Sequence, residues 1–137
     1  MRFLTLIIAI AMLLTANAQT VCRKSPMAAD GIIRYSVIEV VPDYIDEYLP
    51  LALEVGEISM RTEPGVLAMY PTISKEDSYK VTIMEIYASQ DAYKSHIASP
   101  HFQKYKQGTL HMVKSLQLLD QNPLNPAMYV NSGMKDQ

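Results

Sequence analysis

Two strand-like segments of this chain are apolar on both faces, and no other feature constrains the fold as tightly. Ile32 to Val41 carries Ile33, Tyr35 and Val37 on one face and Ile32, Ile38 and Val40 on the other, then stops at Pro42-Asp43. Tyr79 to Ala88 repeats the arrangement, with Val81 and Ile83 on one parity and Met84 and Ile86 on the other. A strand with one face in water alternates apolar and polar residues, so these two call for cover on both sides. Between them the period changes. Ile45, Tyr48, Leu49, Ala52, Val55 and Ser59 fall at helical spacing from Asp43, a potential cap, to Arg61. Pro50 is expected in the first turn of that helix after a short lead-in turn, because a proline deeper inside costs about 3 kcal/mol.

The remaining elements follow from their punctuation. Glu63-Pro64-Gly65 stops the helix, Val66 to Pro71 is a second strand, and Ser74 to Ser78 is a polar hairpin connection. Ser89 caps a short helix to Ser99. Ser99-Pro100 starts another, to about Met112, with serine at the cap and proline at the first helical position. Ser115 to Asp120 is a short fourth strand before Asn122-Pro123. The order β-α-β-β-α-α-β predicts an α+β sandwich of ferredoxin-like type, its helices on one sheet face. One helical layer leaves the other face bare, and a second copy of the same sheet is the simplest cover, so a homodimer is expected.

The ends read differently. Arg2 followed by the apolar run Phe3 to Leu14 and the small residues Ala16-Asn17-Ala18 has the make-up of a signal peptide over residues 1–18, which predicts an exported (periplasmic or secreted) protein with no membrane anchor in its mature form. Residues 19–30 are expected to be a flexible lead-in, residues 31–124 the domain, and residues 125–137 a tail without periodicity. Lys and Arg number 12 against 14 Asp and Glu, a net charge of −2, and no basic block stands out. Nucleic acid and anionic membrane surfaces therefore have no electrostatic support as partners. Cys22 is the single cysteine, so no intrachain disulfide forms.

Chemistry concentrates between Glu85 and Tyr105. A strand ends in Glu85-Ile86-Tyr87, and then comes His96-Ile97-Ala98-Ser99-Pro100-His101-Phe102-Gln103-Lys104-Tyr105. With Glu63-Pro64-Gly65-Val66-Leu67, these segments resemble the antibiotic biosynthesis monooxygenase family, and its quinol monooxygenase branch in particular. The resemblance spans roughly Ile32 to Leu124. It implies a dimeric α/β barrel of two ferredoxin-like subunits, each with a pocket between sheet and helices. It also implies oxidation of a small quinol or phenol by molecular oxygen without metal or flavin. A haem-degrading branch carries an Asn, a Trp and a His where this chain has Ser36, His96 and Lys106, and the chain has no Trp. Haem degradation is not expected.

Cofactor-free oxygenation needs a base, a donor for a developing oxyanion and a dry cavity. His96 is the expected base, since imidazole titrates near neutral pH. Glu85 is the expected second catalytic group, orienting His96 or acting as base itself; an ion pair with Arg34 or a helix lysine is its other possible use. Ser36, Tyr87, His101, Phe102, Tyr105 and Met112 are the expected substrate contacts, although the stripe Phe102, Tyr105, Thr109 and Met112 equally suits core packing, and a local cap suits His101. His96, His101 and His111 are not spaced to put two imidazoles on one helical face, which argues against a metal. Two other functions remain open on this scaffold: an isomerase or degrader of a small carbonyl signalling compound, and a non-catalytic dimer that binds a small ligand.

Overall fold

The computed structural model describes residues 22–125. The expected signal peptide, and the tail beyond Asn125, lie outside the described residues. Along the chain come β1 (Ile32–Val40), a 3-10 turn (Pro42–Tyr44), α1 (Ile45–Thr62), β2 (Val66–Ile73), β3 (Lys80–Tyr87), α2 (Gln90–Ala98), α3 (Pro100–Thr109), a second 3-10 turn (Leu110–Met112) and β4 (Val113–Gln121). The strands form one antiparallel sheet in the order β2-β3-β1-β4, the ferredoxin-like arrangement expected above. No helix among the described residues is long and apolar enough to cross a membrane.

Register shows how the two-faced strands are used. Ser36, Ile38 and Val40 of β1, with Val81, Ile83, Glu85 and Tyr87 of β3, turn toward the helices and are buried. The opposite parity puts Tyr35 across from Met84 on one side and Leu119 on the other, with Tyr70 across from Met84. This outer face is apolar yet open: Tyr35 is 38%, Tyr70 65% and Leu119 44% exposed. The helix side holds the core, in which Ile38, Val40, Val81, Ile83 and Met112 pack around Tyr48 and Ala52 of α1. A smaller cluster of Ile32, Val66 and Tyr87 lies toward the start of β1.

The two serine caps form as expected. The Ser89 side chain accepts from the Ala92 amide at 3.0 Å and that of Ser99 from the Phe102 amide at 3.3 Å, starting α2 and α3. Three expectations are corrected. Pro50 lies inside α1, which already starts at Ile45, and Asp43 makes no capping bond. Tyr48, two residues before Pro50, is fully buried, and its burial fixes the first turn in helical form despite the proline. The helix expected to reach Met112 ends at Thr109, and Leu110–Met112 tightens into a 3-10 turn.

The described part of the expected flexible lead-in is tethered. Ser25 and Ala28 donate backbone hydrogen bonds to the carbonyls of Pro64 and Ala88. The Lys24 ammonium bonds the carbonyls of Met60 and Glu63, a cation at the negative end of the α1 dipole.

Gly65 has a packing reason. A Cβ there would collide with the Ala92 Cβ, so only glycine lets the start of α2 lie against this turn. Gly65→Ala is expected to cost roughly 1–3 kcal/mol, the range for overpacking a tight site. Urea unfolding measures it, and a midpoint equal to wild type would dismiss the close-approach explanation.

Candidate active site

A cavity of about 370 Å³ opens between the helix side of the sheet and the three helices. Its floor comes from alternate residues of the strands, Ser36 and Ile38 of β1 with Ile83, Glu85 and Tyr87 of β3. Its roof comes from the inner faces of α1, α2 and α3, through Val55, His96, Phe102 and Tyr105 among others. Leu116 and Leu118 of β4 line its open side. The lining is mostly hydrocarbon and aromatic, with a few polar groups to orient a ligand.

His96 is 2% exposed, on the buried side of α2. Its ring sits 4.9 Å from that of Phe102 and 5.3 Å from that of Tyr87, centroid to centroid. Its Nδ1 lies 2.9 Å from Glu63 Oε1, and Ser59 Oγ is 3.5 Å away. Burial by itself would raise the Glu63 carboxyl, but hydrogen bonds from His96 and His101 outweigh it and hold the group below its ordinary value. An ionised carboxylate only accepts, so His96 carries its proton on Nδ1, and the lone pair is left on Nε2. Nε2 has no hydrogen-bond partner, yet no side-chain nitrogen or oxygen among the described residues is both fully buried and unpartnered. Nε2 therefore keeps some exposed surface, on a side chain that lines the cavity.

Glu85 is also in the cavity wall, but not as the partner of His96. It accepts a hydrogen bond from the Tyr87 hydroxyl at 2.8 Å. Burial, and then the nearby Glu85 carboxylate, push the Tyr87 phenol well above its usual range, so this hydroxyl stays protonated. Arg34, across from Glu85 in the register, does not pair with it. Its guanidinium makes two bonds to Asp120, at 2.5 and 3.1 Å, and lies over the Tyr93 ring at 4.7 Å. At the α1–α3 side, the hydroxyls of Tyr48 and Tyr105 meet at 2.6 Å.

Among the expected contacts, Ser36, Tyr87, Phe102 and Tyr105 line the cavity together with His96 and Glu85. Two do not. Met112, in the 3-10 turn after α3, is buried in the core cluster with Val40 and Tyr48. His101 does not line the cavity: its Nε2 is 2.6 Å from Glu63 Oε1 and 3.1 Å from Ser99 Oγ, and it borders a separate hollow of about 100 Å³. The residue missing from the sequence reading is Glu63. Glu63-Pro64-Gly65 is legible as a helix stop, which is correct, but the same glutamate at the end of α1 turns its carboxylate onto two histidines of α2 and α3.

The sequence profile described as antibiotic biosynthesis monooxygenase matches residues 25–108, which include every lining element except the end of α3, the 3-10 turn after it and β4. The chain belongs to the antibiotic biosynthesis monooxygenase family. A crystal structure provisionally named an antibiotic biosynthesis monooxygenase, from Bacteroides thetaiotaomicron, is 50% identical with a TM-score of 0.72, over 74% of this chain and 96% of that one. Others show the same fold at lower identity. A protein provisionally named a monooxygenase from Lactobacillus acidophilus is 24% identical with a TM-score of 0.65, over 70% of this chain but 46% of its own length. One provisionally named an antibiotic biosynthesis monooxygenase from Caulobacter crescentus is 24% identical with a TM-score of 0.62, over 69% of this chain and 92% of that one. No curated protein matches the chain. Membership in the antibiotic biosynthesis monooxygenase family supports a monooxygenase-like function on a small molecule.

Proposed function

We propose that this protein is an exported, homodimeric monooxygenase that inserts oxygen into a small quinol or phenol, with His96 as the base. One observation carries the reading: a buried imidazole in the wall of an aromatic-lined cavity, with one nitrogen tied to an ionised carboxylate and the other without a hydrogen-bond partner. Nε2 of His96 takes the hydroxyl proton of the bound quinol. The resulting anion passes one electron to molecular oxygen, and the two radicals recombine in a new C–O bond. The hydroperoxide so formed loses water, using the proton returned by His96. Quinol and oxygen thus give a hydroxyquinone and water with no external reductant. Glu63 holds the imidazole in the productive tautomer and steadies the imidazolium that forms. The Tyr87 hydroxyl and Glu85 sit on the floor, where they orient the ring hydroxyls, and the apolar walls exclude water from the radical pair. Oxygen uptake with a panel of hydroquinones and phenols tests the reading, with product mass shifted by ¹⁸O₂. Tight binding of panel members without oxygen uptake would favour a non-catalytic binding protein instead.

The second copy has its own support. Tyr35, Tyr70 and Leu119 form an open apolar face on a sheet whose other side is fully used. Light scattering at micromolar concentration is expected to give twice the chain mass, and Leu119→Lys to shift it toward monomer. A wild-type monomer would end the dimer reading without touching the chemistry.

A further inference from the structure

Around His96 Nδ1, three ligand-type atoms converge from three helix ends. Glu63 Oε1 comes from the end of α1, His96 Nδ1 from the last turn of α2 and His101 Nε2 from the first turn of α3, all within 4.8 Å of one another. Both imidazoles address the same carboxylate oxygen, at 2.9 and 2.6 Å. Two hydroxyls flank them: Ser59 Oγ lies 3.5 Å from His96 Nδ1 and Ser99 Oγ 3.1 Å from His101 Nε2. The Glu63 and His101 side chains are not sealed, at 15% and 18% exposure, so an ion has a path in from solvent.

We propose that Glu63, His96 and His101 form a binding site for a borderline first-row divalent cation, with Zn²⁺ as the type ligand. Two imidazoles and one carboxylate are a donor set that such ions favour, leaving a fourth position for a flanking hydroxyl or water. Bonds of about 2.0–2.2 Å place neighbouring ligands roughly 3–3.5 Å apart, so modest side-chain rotations convert the hydrogen-bonded cluster into the liganded one. The exchange needs no net proton loss. Each neutral imidazole moves its proton to the far nitrogen as the near one takes the ion. For His96 that shift has a consequence at the cavity: Nε2 changes from acceptor to donor. Ion binding and base function are therefore alternative states of one side chain. Of the three residues only His96 lines the cavity; Glu63 and His101 do not.

The site stands on the cluster's geometry and not on His96 acting as a base, and its test involves no turnover. Tag-free mature protein is titrated with Co²⁺, read by visible d–d absorption, and competed with Zn²⁺. The expected result is saturation at one ion per chain, displacement by Zn²⁺ and a Tm raised by Zn²⁺. His101→Ala and Glu63→Gln are each expected to weaken binding by roughly 10-fold or more, and Cys22→Ser to leave it unchanged. Wild-type protein that shows no saturable one-to-one binding overturns the proposal whatever the variants do. So does binding that survives His101→Ala, or that vanishes with Cys22→Ser.

Discussion

His96→Ala is expected to lower kcat/KM for hydroquinone oxidation by roughly 10²- to 10⁴-fold, the usual contribution of a positioned general base. The loss falls mainly on kcat, because the imidazole acts on a proton in flight while the aromatic walls that bind the ring remain. Glu63→Gln separates position from identity. It preserves the size of the side chain but removes the charge that keeps the proton on Nδ1, so it is expected to reduce kcat by less than His96→Ala. The double variant should be little worse than His96→Ala alone, since Glu63 acts through His96. Glu85→Gln, which leaves an acceptor for the Tyr87 hydroxyl 2.8 Å away, is expected to be milder than either. Oxygen-electrode rates with a chelator present decide among these outcomes. A His96→Ala protein that folds and consumes oxygen at the wild-type rate removes His96 from the chemistry.

The largest loss of stability is expected at Tyr48. Its side chain has no exposed surface, it packs among Val40, Ile38 and Met112, and its hydroxyl meets that of Tyr105 at 2.6 Å. Tyr48→Ala removes a whole ring from the core and is expected to cost about 3–5 kcal/mol, as aromatic truncations do. Tyr48→Phe keeps the ring and is expected to cost about 1–3 kcal/mol, because the half-buried Tyr105 hydroxyl loses its partner. Urea unfolding of both variants separates ring from hydroxyl. Equal losses would mean that the hydroxyl pair, and not the packed ring, holds α1 on the sheet. Burial pushes the Tyr48 phenol far above its usual range, so this pair stays neutral across the range in which the protein can be handled.

Much of the architecture was legible because its signals are short-range. Ser89 and Ser99 cap helices with hydroxyls that bond amides three residues on, and a chain carries such a signal in any context. The two-faced strands, the change from period two to period 3.6, and the Glu63-Pro64-Gly65 stop set the element order, and the element order set the sheet. Pro50 is where local preference lost. Its cost as an interior helix residue was read correctly, but the burial of Tyr48 outweighed it, and burial is not a local quantity. Met112 misled for a related reason. It shares a helical stripe with Phe102 and Tyr105 only while the helix continues, and the 3-10 turn at Leu110 rotates it into the core.

The candidate site divides along the same line. By itself the sequence determined that Glu85 and Tyr87 share one strand face and that His96, Phe102 and Tyr105 follow in the next two helices, all within one supersecondary unit. Only the tertiary structure decided which carboxylate serves the histidine. Glu63 is 33 residues before His96 and 38 before His101, and the fold brings all three together by packing the end of α1 against α2 and α3. It also decided that Glu85 and Tyr87 face the helices, because strand parity says which residues share a side but not which side is covered. A chain states its periods and its caps; which helix end meets which depends on the burial of the whole sheet.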